Sequence, residues 1–298
     1  MKRLFIPTML LAGLAAALPA AAETVVLQNL QGIYSDDKEG GMKIPEGVAC
    51  AADGTVVVAD TGNARLLRYH FSGGSLSGGS EVKAPQLPYP LRLQLTSHGD
   101  ILALDGRLRK IARIKPDGSF AGYLEPQGVP GGAVVPRSLR VGSGDSIYLL
   151  DIAGGRVVVL DATGTFQRQV TFPAAYGFMS DLALAPDGKL LLIDSVKARV
   201  YVAGAGEQTF RPLTGELHEY LDFPLSLETD AQGVIYVVDQ SSGSIVLIGQ
   251  DGAMLGRQLS RGWKPGLLNF PAQLCVTGNE LMVADRGNNR VQVFERGR

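Results

Sequence analysis

Apolar residues in this chain gather in short, nearly unbroken runs, and no segment keeps a 3.6-residue apolar period for three turns. The clearest runs are Val56-Val57-Val58-Ala59, Ile101-Leu102-Ala103-Leu104, Ile147-Tyr148-Leu149-Leu150, Leu190-Leu191-Leu192-Ile193, Ile235-Tyr236-Val237-Val238 and Leu281-Met282-Val283-Ala284. Each ends on an aspartate, Asp60, Asp105, Asp151, Asp194, Asp239 and Asp285 in turn, at spacings of 45, 46, 43, 45 and 46 residues. A strand apolar on both faces is sandwiched between two layers, so the six runs predict strands buried between neighbouring sheets. Repetition at this period marks a propeller or a solenoid.

Turn residues fall in register around these runs. Asp53-Gly54, Gly99-Asp100, Gly144-Asp145, Asp187-Gly188, Gln232-Gly233 and Gly278-Asn279 precede them, and a second set, from Gly73-Gly74 to Asp251-Gly252, follows the third strand of each unit. Two hairpins per unit give four antiparallel strands. The last unit stops at its third strand, Val291-Gln292-Val293-Phe294, while Thr24 to Leu30 forms an apolar strand with no unit of its own. Donating that strand to the last sheet removes an open edge and closes a ring. The expected fold is all-β: a six-bladed β-propeller of four-stranded blades over residues 23–298, its last blade closed by the N-terminal strand.

The N-terminus adds a targeting expectation. Lys2 and Arg3, an apolar run from Leu4 to Leu18, then Pro19 and Ala20 to Ala22 form a secretory signal peptide over residues 1–22, with an A-x-A cleavage site. A periplasmic or secreted protein is expected, with no membrane span elsewhere. Of 28 basic and 29 acidic residues, loss of Lys2 and Arg3 leaves a charge of about −3 without a long run of either sign, which argues against nucleic acid and anionic membranes as partners. Cys50 and Cys275 each lie ten residues before their unit's aspartate. They therefore hold equivalent positions on sheets expected about 10 Å apart, with side chains pointing the same way round the ring, and two buried free thiols are expected rather than a disulfide.

The stretch Asp285-Arg286-Gly287-Asn288-Asn289-Arg290, preceded by Leu281 to Ala284 and by a linker containing Gly266, Phe270 and Pro271, closely resembles an NHL repeat, and Asp60-Thr61-Gly62-Asn63-Ala64-Arg65 repeats its core. The position five residues after each aspartate holds Arg65, Lys110, Arg156, Arg199, Ser244 and Arg290, so the fifth unit departs from the pattern. An aspartate ending one strand and a basic residue starting the next can pair across the turn, and a device needed in every blade reads as a clasp of the fold rather than as chemistry. The resemblance implies the propeller strongly and the activity weakly, because such propellers include binding modules, sensor domains, RNA-binding domains and a few enzymes.

Among those enzymes an amidating lyase gathers zinc with histidines. His70, His98 and His218 are too dispersed on the repeat map to do so, no G-x-S-x-G elbow is present, and neither Cys has a His near it. Gluconolactonase-type propellers, which this architecture resembles, hold a divalent metal with Glu, Asn and Asp at the channel mouth. The residues expected to begin the innermost strands here are Glu46, Arg92, Arg137, Asp181 and Glu228, a mixed set suited to a solvated channel. Tyr34, Tyr89, Tyr176, Phe178, Tyr220, Phe223, Trp263 and Phe270 fall in the connectors between blades, with Phe223 and Phe270 expected to pack beneath theirs. Aromatic residues among charged neighbours suit a protein contact surface. The expectation from sequence is therefore a monomeric, non-enzymatic scaffold that needs no cofactor or metal and binds a periplasmic or extracellular protein or peptide through Tyr34, Tyr89, Tyr176, Tyr220 and Trp263, with Glu46, Arg92, Arg137 and Asp181 as channel residues. The alternative is a metal-dependent hydrolase or lyase acting at the channel mouth.

Overall fold

The apolar runs become the second strands of six sheets because both their faces meet a neighbouring sheet. The computed structural model describes residues 25–297; the expected signal peptide lies outside them. The innermost strands are Gly47–Cys50, Pro90–Leu95, Pro136–Val141, Met179–Leu184, Pro224–Thr229 and Leu274–Thr277, which number blades 1 to 6. The second strands are Thr55–Asp60, Ile101–Asp105, Ile147–Asp151, Leu190–Asp194, Ile235–Asp239 and Glu280–Asp285. Every sheet has four antiparallel strands in chain order from the axis outward, except that blade 6 takes Val26–Ile33 as its outermost strand, paired with Arg290–Gly297. The ring closes as the unpaired ends of the sequence require.

Packing follows the same repetition. Each of the six blade interfaces holds one apolar cluster: Val56 and Val58 meet Met282 and Ala284 between blades 6 and 1, and Val200 and Val202 meet Val237 and Val246 between blades 4 and 5. Each such Val or Met side chain, fully buried, contributes about 1.5–3 kcal/mol.

The six aspartates share one role, and it is not the clasp to the basic residue. Direct ion pairs form in three blades only, Asp60 to Arg65 at 2.7 Å, Asp151 to Arg156 at 2.9 Å and Asp285 to Arg290 at 2.7 Å. Lys110 and Arg199 turn instead toward Glu125 and Glu216, at 3.6 and 3.7 Å. All six carboxylates accept a backbone N–H from the connector that enters their own blade: Lys43, Tyr89, Val135, Gly177, Asp222 and Asn269 donate at 2.6–3.0 Å. All six aspartates are fully buried, where an unanswered peptide N–H is costly.

The cysteines correct the expectation. Cys50 and Cys275 form a disulfide, with Cα atoms 6.0 Å apart, between the innermost strands of blades 1 and 6. The 10 Å spacing holds where sheets pack face to face, but blades converge toward the axis, and on the innermost strands equivalent residues come within bridging reach. The bond ties together the two ends of the ring.

Replacing both cysteines by serine is expected to lower unfolding stability by about 2–5 kcal/mol, read as a lower denaturant midpoint; an unchanged midpoint would show that strand pairing alone closes the ring. Asp105→Asn puts an amide donor against the N–H groups of Tyr89, Arg107 and Leu108 that Asp105 now accepts. It is expected to cost about 1–3 kcal/mol and to speed amide exchange at Tyr89 more than in the strands of blade 2.

Candidate functional site

One face of the disc carries the connectors and the turns after the six aspartates, and there the innermost strands begin. Their pairing slips by one residue between Pro90 and Arg92, Pro136 and Ser138, Met179 and Asp181, and Pro224 and Ser226. The residues skipped are Leu91, Arg137, Ser180 and Leu225, and bulges of this kind re-aim a side chain away from the ladder. Glu46 and Ala272 hold the same position in blades 1 and 6. Ser180, Leu225 and Ala272 are buried, whereas Glu46, Leu91 and Arg137 stay partly exposed. The mouth of the channel is thus open over blades 1 to 3 and closed over blades 4 to 6.

One residue deeper, each blade supplies a member of a second ring: Gly47, Arg92, Ser138, Asp181, Ser226 and Gln273. Asp181 is its centre. It accepts hydrogen bonds from Ser138 Oγ and Ser226 Oγ on the two flanking blades, both at 2.5 Å, and from Arg140 at 3.2 Å. On the other side of the ring Gln273 reaches past blade 1 to blade 2, its amide accepting from Leu93 N at 3.2 Å and donating to Leu93 O at 3.1 Å. Gly47 leaves the room: a Cβ there would sit 2.7 Å from the Leu91 carbonyl oxygen and 3.2 Å from Gln273 Oε1. Arg92 donates to Ala272 O at 3.2 Å.

Arg140 lies one layer below and crosses blade 4 to donate to Leu227 O at 2.7 Å, with its Nε 3.6 Å from Glu228. These groups are not solvated, contrary to the reading from sequence: Arg92 is 4% exposed, Arg140 2% and Asp181 0%. Burial pushes the Asp181 carboxyl up, but the charges of Arg140 and Arg92 and the two serine hydroxyls outweigh it and hold it below the usual carboxylate range. Burial raises Glu228, opposed by Arg140. Glu228 also stands near the end of its strand, not at its start. The channel is filled at mid-depth, and its connector end is blind.

At that mouth Glu46 pairs with Arg286 at 2.9 Å. Arg137 has no such partner: its buried Nε makes no hydrogen bond, and its guanidinium lies 5.6 Å from the Phe178 ring centre. Burial first, and then the neighbouring charge of Arg92, lower its pKa, while Asp181 and Glu46 act the other way. Beside it a cavity of about 210 Å³ is lined by Leu91, Leu104, Asp105, Arg109, Pro136, Arg137, Ile152 and Phe178 among others. In the 360 Å³ interblade groove on the hairpin face Asp230, Tyr236 and Arg296 bond to one another.

The structure therefore gathers four of the expected residues, Glu46, Arg92, Arg137 and Asp181, around the axis. Tyr34, Tyr89, Tyr176, Tyr220 and Trp263 lie in the connectors on the rim. Trp263 is 79% exposed, Tyr89 lies under Arg107, Tyr34 bonds Arg290, and Tyr176 meets Phe172 edge-on. Phe223 and Phe270 do not pack beneath their blades; both remain more than a third exposed, with Phe270 covered by the Arg261 guanidinium at 4.4 Å. Ser138, Ser226, Gln273, Arg140 and Arg286 were not picked out from sequence. The signal for the second ring was available, since its members stand 13 residues before their aspartate in five units and 12 in the sixth.

Residues 268–294 match the family model of the NHL repeat. No curated protein matches the sequence. Solved structures of similar shape include a gluconolactonase from Xanthomonas campestris, with TM-score 0.67 and 16% identity over 95% of this chain and 98% of that one. The virginiamycin B lyase of Staphylococcus aureus gives TM-score 0.63 and 13% identity over 91% and 99%. Regucalcin from Agrobacterium tumefaciens, described as a calcium-binding protein, gives TM-score 0.62 and 15% identity over 92% and 96%. At such identities these likenesses show the fold. They also overturn the expectation of a non-enzymatic binding scaffold, because the solved propellers this chain matches over nearly its whole length are mainly enzymes. The chain is a six-bladed β-propeller that carries an NHL repeat at residues 268–294.

Proposed function

We propose that this propeller is an enzyme, a hydrolase or lyase that opens an ester or lactone bond of a small molecule at the connector-face mouth of its channel. The observation that carries the reading is the blind mouth over blades 1 to 3, where a half-buried carboxylate, Glu46, shares a site with the poorly solvated guanidinium groups of Arg92 and Arg137. Ionisable groups held away from water in a cleft are the common equipment of acid–base chemistry. Glu46, oriented by Arg286, is the group to take or give a proton. Arg137, with no internal partner, faces charge that develops as the bond opens to a carboxylate.

A divalent metal, as gluconolactonase-type propellers hold, does not suit the donors present. Among the six strand-start positions at the mouth Glu46 alone is a carboxylate, and it is paired with Arg286. Asp181 is saturated by two hydroxyls and Arg140, and guanidinium groups surround both. No cluster of three or more His, Cys, Asp or Glu with metal-binding geometry occurs among the described residues.

We further propose that the protein acts outside the cytoplasm. Residues 1–22 have the pattern of an export signal, the Cys50–Cys275 bond suits an oxidising compartment, and no helix among the described residues is long and apolar enough to cross a membrane.

The test is a proton-release assay of the purified protein against aliphatic lactones, sugar lactones and aryl esters. Turnover is expected to persist in EDTA, and Glu46→Gln is expected to lower kcat by about 10²–10⁴-fold with a smaller change in KM. Absence of turnover across the panel, or an unaffected Glu46→Gln variant, would remove the reading.

A further inference from the structure

The cavity beside Arg137 is more specific than the mouth as a whole. Five of its walls, Leu91, Leu104, Pro136, Ile152 and Phe178, are apolar, and its volume is about 210 Å³. Its charged groups are Arg109, Arg137 and Asp105. The acid is already spent: Asp105 is fully buried and accepts the backbone N–H groups of Tyr89, Arg107 and Leu108 at 2.6–2.8 Å. Neither guanidinium pairs with a carboxylate among the described residues, and the charge of Arg109 adds to the repulsion felt by Arg137. Arg109 is exposed at the edge of the cavity, whereas Arg137 is partly buried with an unbonded Nε, and a cation held from water without a partner costs free energy that an incoming anion recovers. The Phe178 ring beside Arg137 covers the guanidinium and excludes water from one side.

We infer that this cavity is a subsite for a small molecule with a carboxylate head and an apolar body, the carboxylate held between Arg137 and Arg109 and the body against Leu91, Leu104, Pro136, Ile152 and Phe178. A carboxylate matches the planar fork of a guanidinium, and the apolar walls favour a monoanion with a hydrocarbon body over a phosphate, which has no use for them. The inference rests on the mouth being the substrate site and names the class of molecule that site takes.

Isothermal titration of the full chain with benzoate, with its neutral analogue benzamide and with inorganic phosphate tests it. Benzoate is expected to bind at least tenfold more tightly than either, and more weakly as salt is raised. Arg137→Gln is expected to weaken benzoate at least tenfold, while Arg211→Gln, a change at an exposed position on the outer strand of blade 4, leaves it unchanged. Ile152→Trp, which fills the cavity and keeps both arginines, is expected to abolish binding with the melting temperature retained. Equal affinity for benzoate and benzamide, tighter binding of phosphate, or binding that survives both Arg137→Gln and Ile152→Trp overturns the subsite. Benzoate binding without turnover of any lactone or ester keeps the subsite and removes the catalytic reading. Turnover that benzoate does not inhibit competitively removes the subsite and keeps the catalysis.

Discussion

The carboxylate that ends each second strand holds the backbone of the connector entering the same blade, and everything on the connector face depends on that contact. A connector is an irregular segment crossing the rim, with peptide groups that no ladder satisfies. In each blade the aspartate answers one or two of them at the point where the chain turns inward, so the start of the innermost strand is fixed in height and direction. Glu46, Leu91 and Arg137 stand within a few residues of these anchors. Their placement is inherited from a structural contact made six times, not from any contact with ligand.

Inside the ring the same repetition sets a problem that the chain solves unequally. Six innermost strands bring six equivalent positions to one axis, and the chain fills them with residues of different size and charge. Gly47 yields, Gln273 bridges the gap that it leaves, and Asp181 draws in hydroxyls from both neighbouring blades. Arg140 supplies the opposite charge from beneath. A buried ion pair of this kind is not strong evidence for stability, because desolvation offsets most of the attraction, but removing one partner leaves a charge that costs about 3–5 kcal/mol. Its consequence for function is geometric: it blocks the channel and turns one end into a pocket.

The fold was legible because it rests on repetition. The aspartate spacing, the turn pairs and the spare N-terminal strand each constrain the same ring, and the closing strand appears where the unpaired end required it. The cysteines misled because a mid-sheet distance was applied at the axis, where blades converge. The channel residues were half legible. Counting back from each aspartate to the strand start reaches Arg92, Arg137 and Asp181, but the register slip that separates the exposed position from the buried one is invisible in any single unit. Arg137 and Ser138 are adjacent in sequence and belong to different layers for that reason. On the rim Trp263 and Tyr220 are exposed, which composition alone makes legible.

A site on a symmetric scaffold has to arise where symmetry fails, and the two rings show where that is. At the mouth, blades 4, 5 and 6 offer Ser180, Leu225 and Ala272, small or apolar groups that pack inward and close the surface. Blades 1, 2 and 3 offer a carboxylate, a leucine and an arginine that do not. Blade 1 lies opposite the Asp181 centre in blade 4, whose hydrogen bonds consume the polar groups of blades 3, 4 and 5 one layer down. Polar capacity is therefore exhausted on one side of the axis and left over on the other. The unpaired guanidinium of Arg137 sits on the boundary between the two halves, next to the 210 Å³ cavity, and its lack of an internal partner is what makes that corner of the ring chemically available.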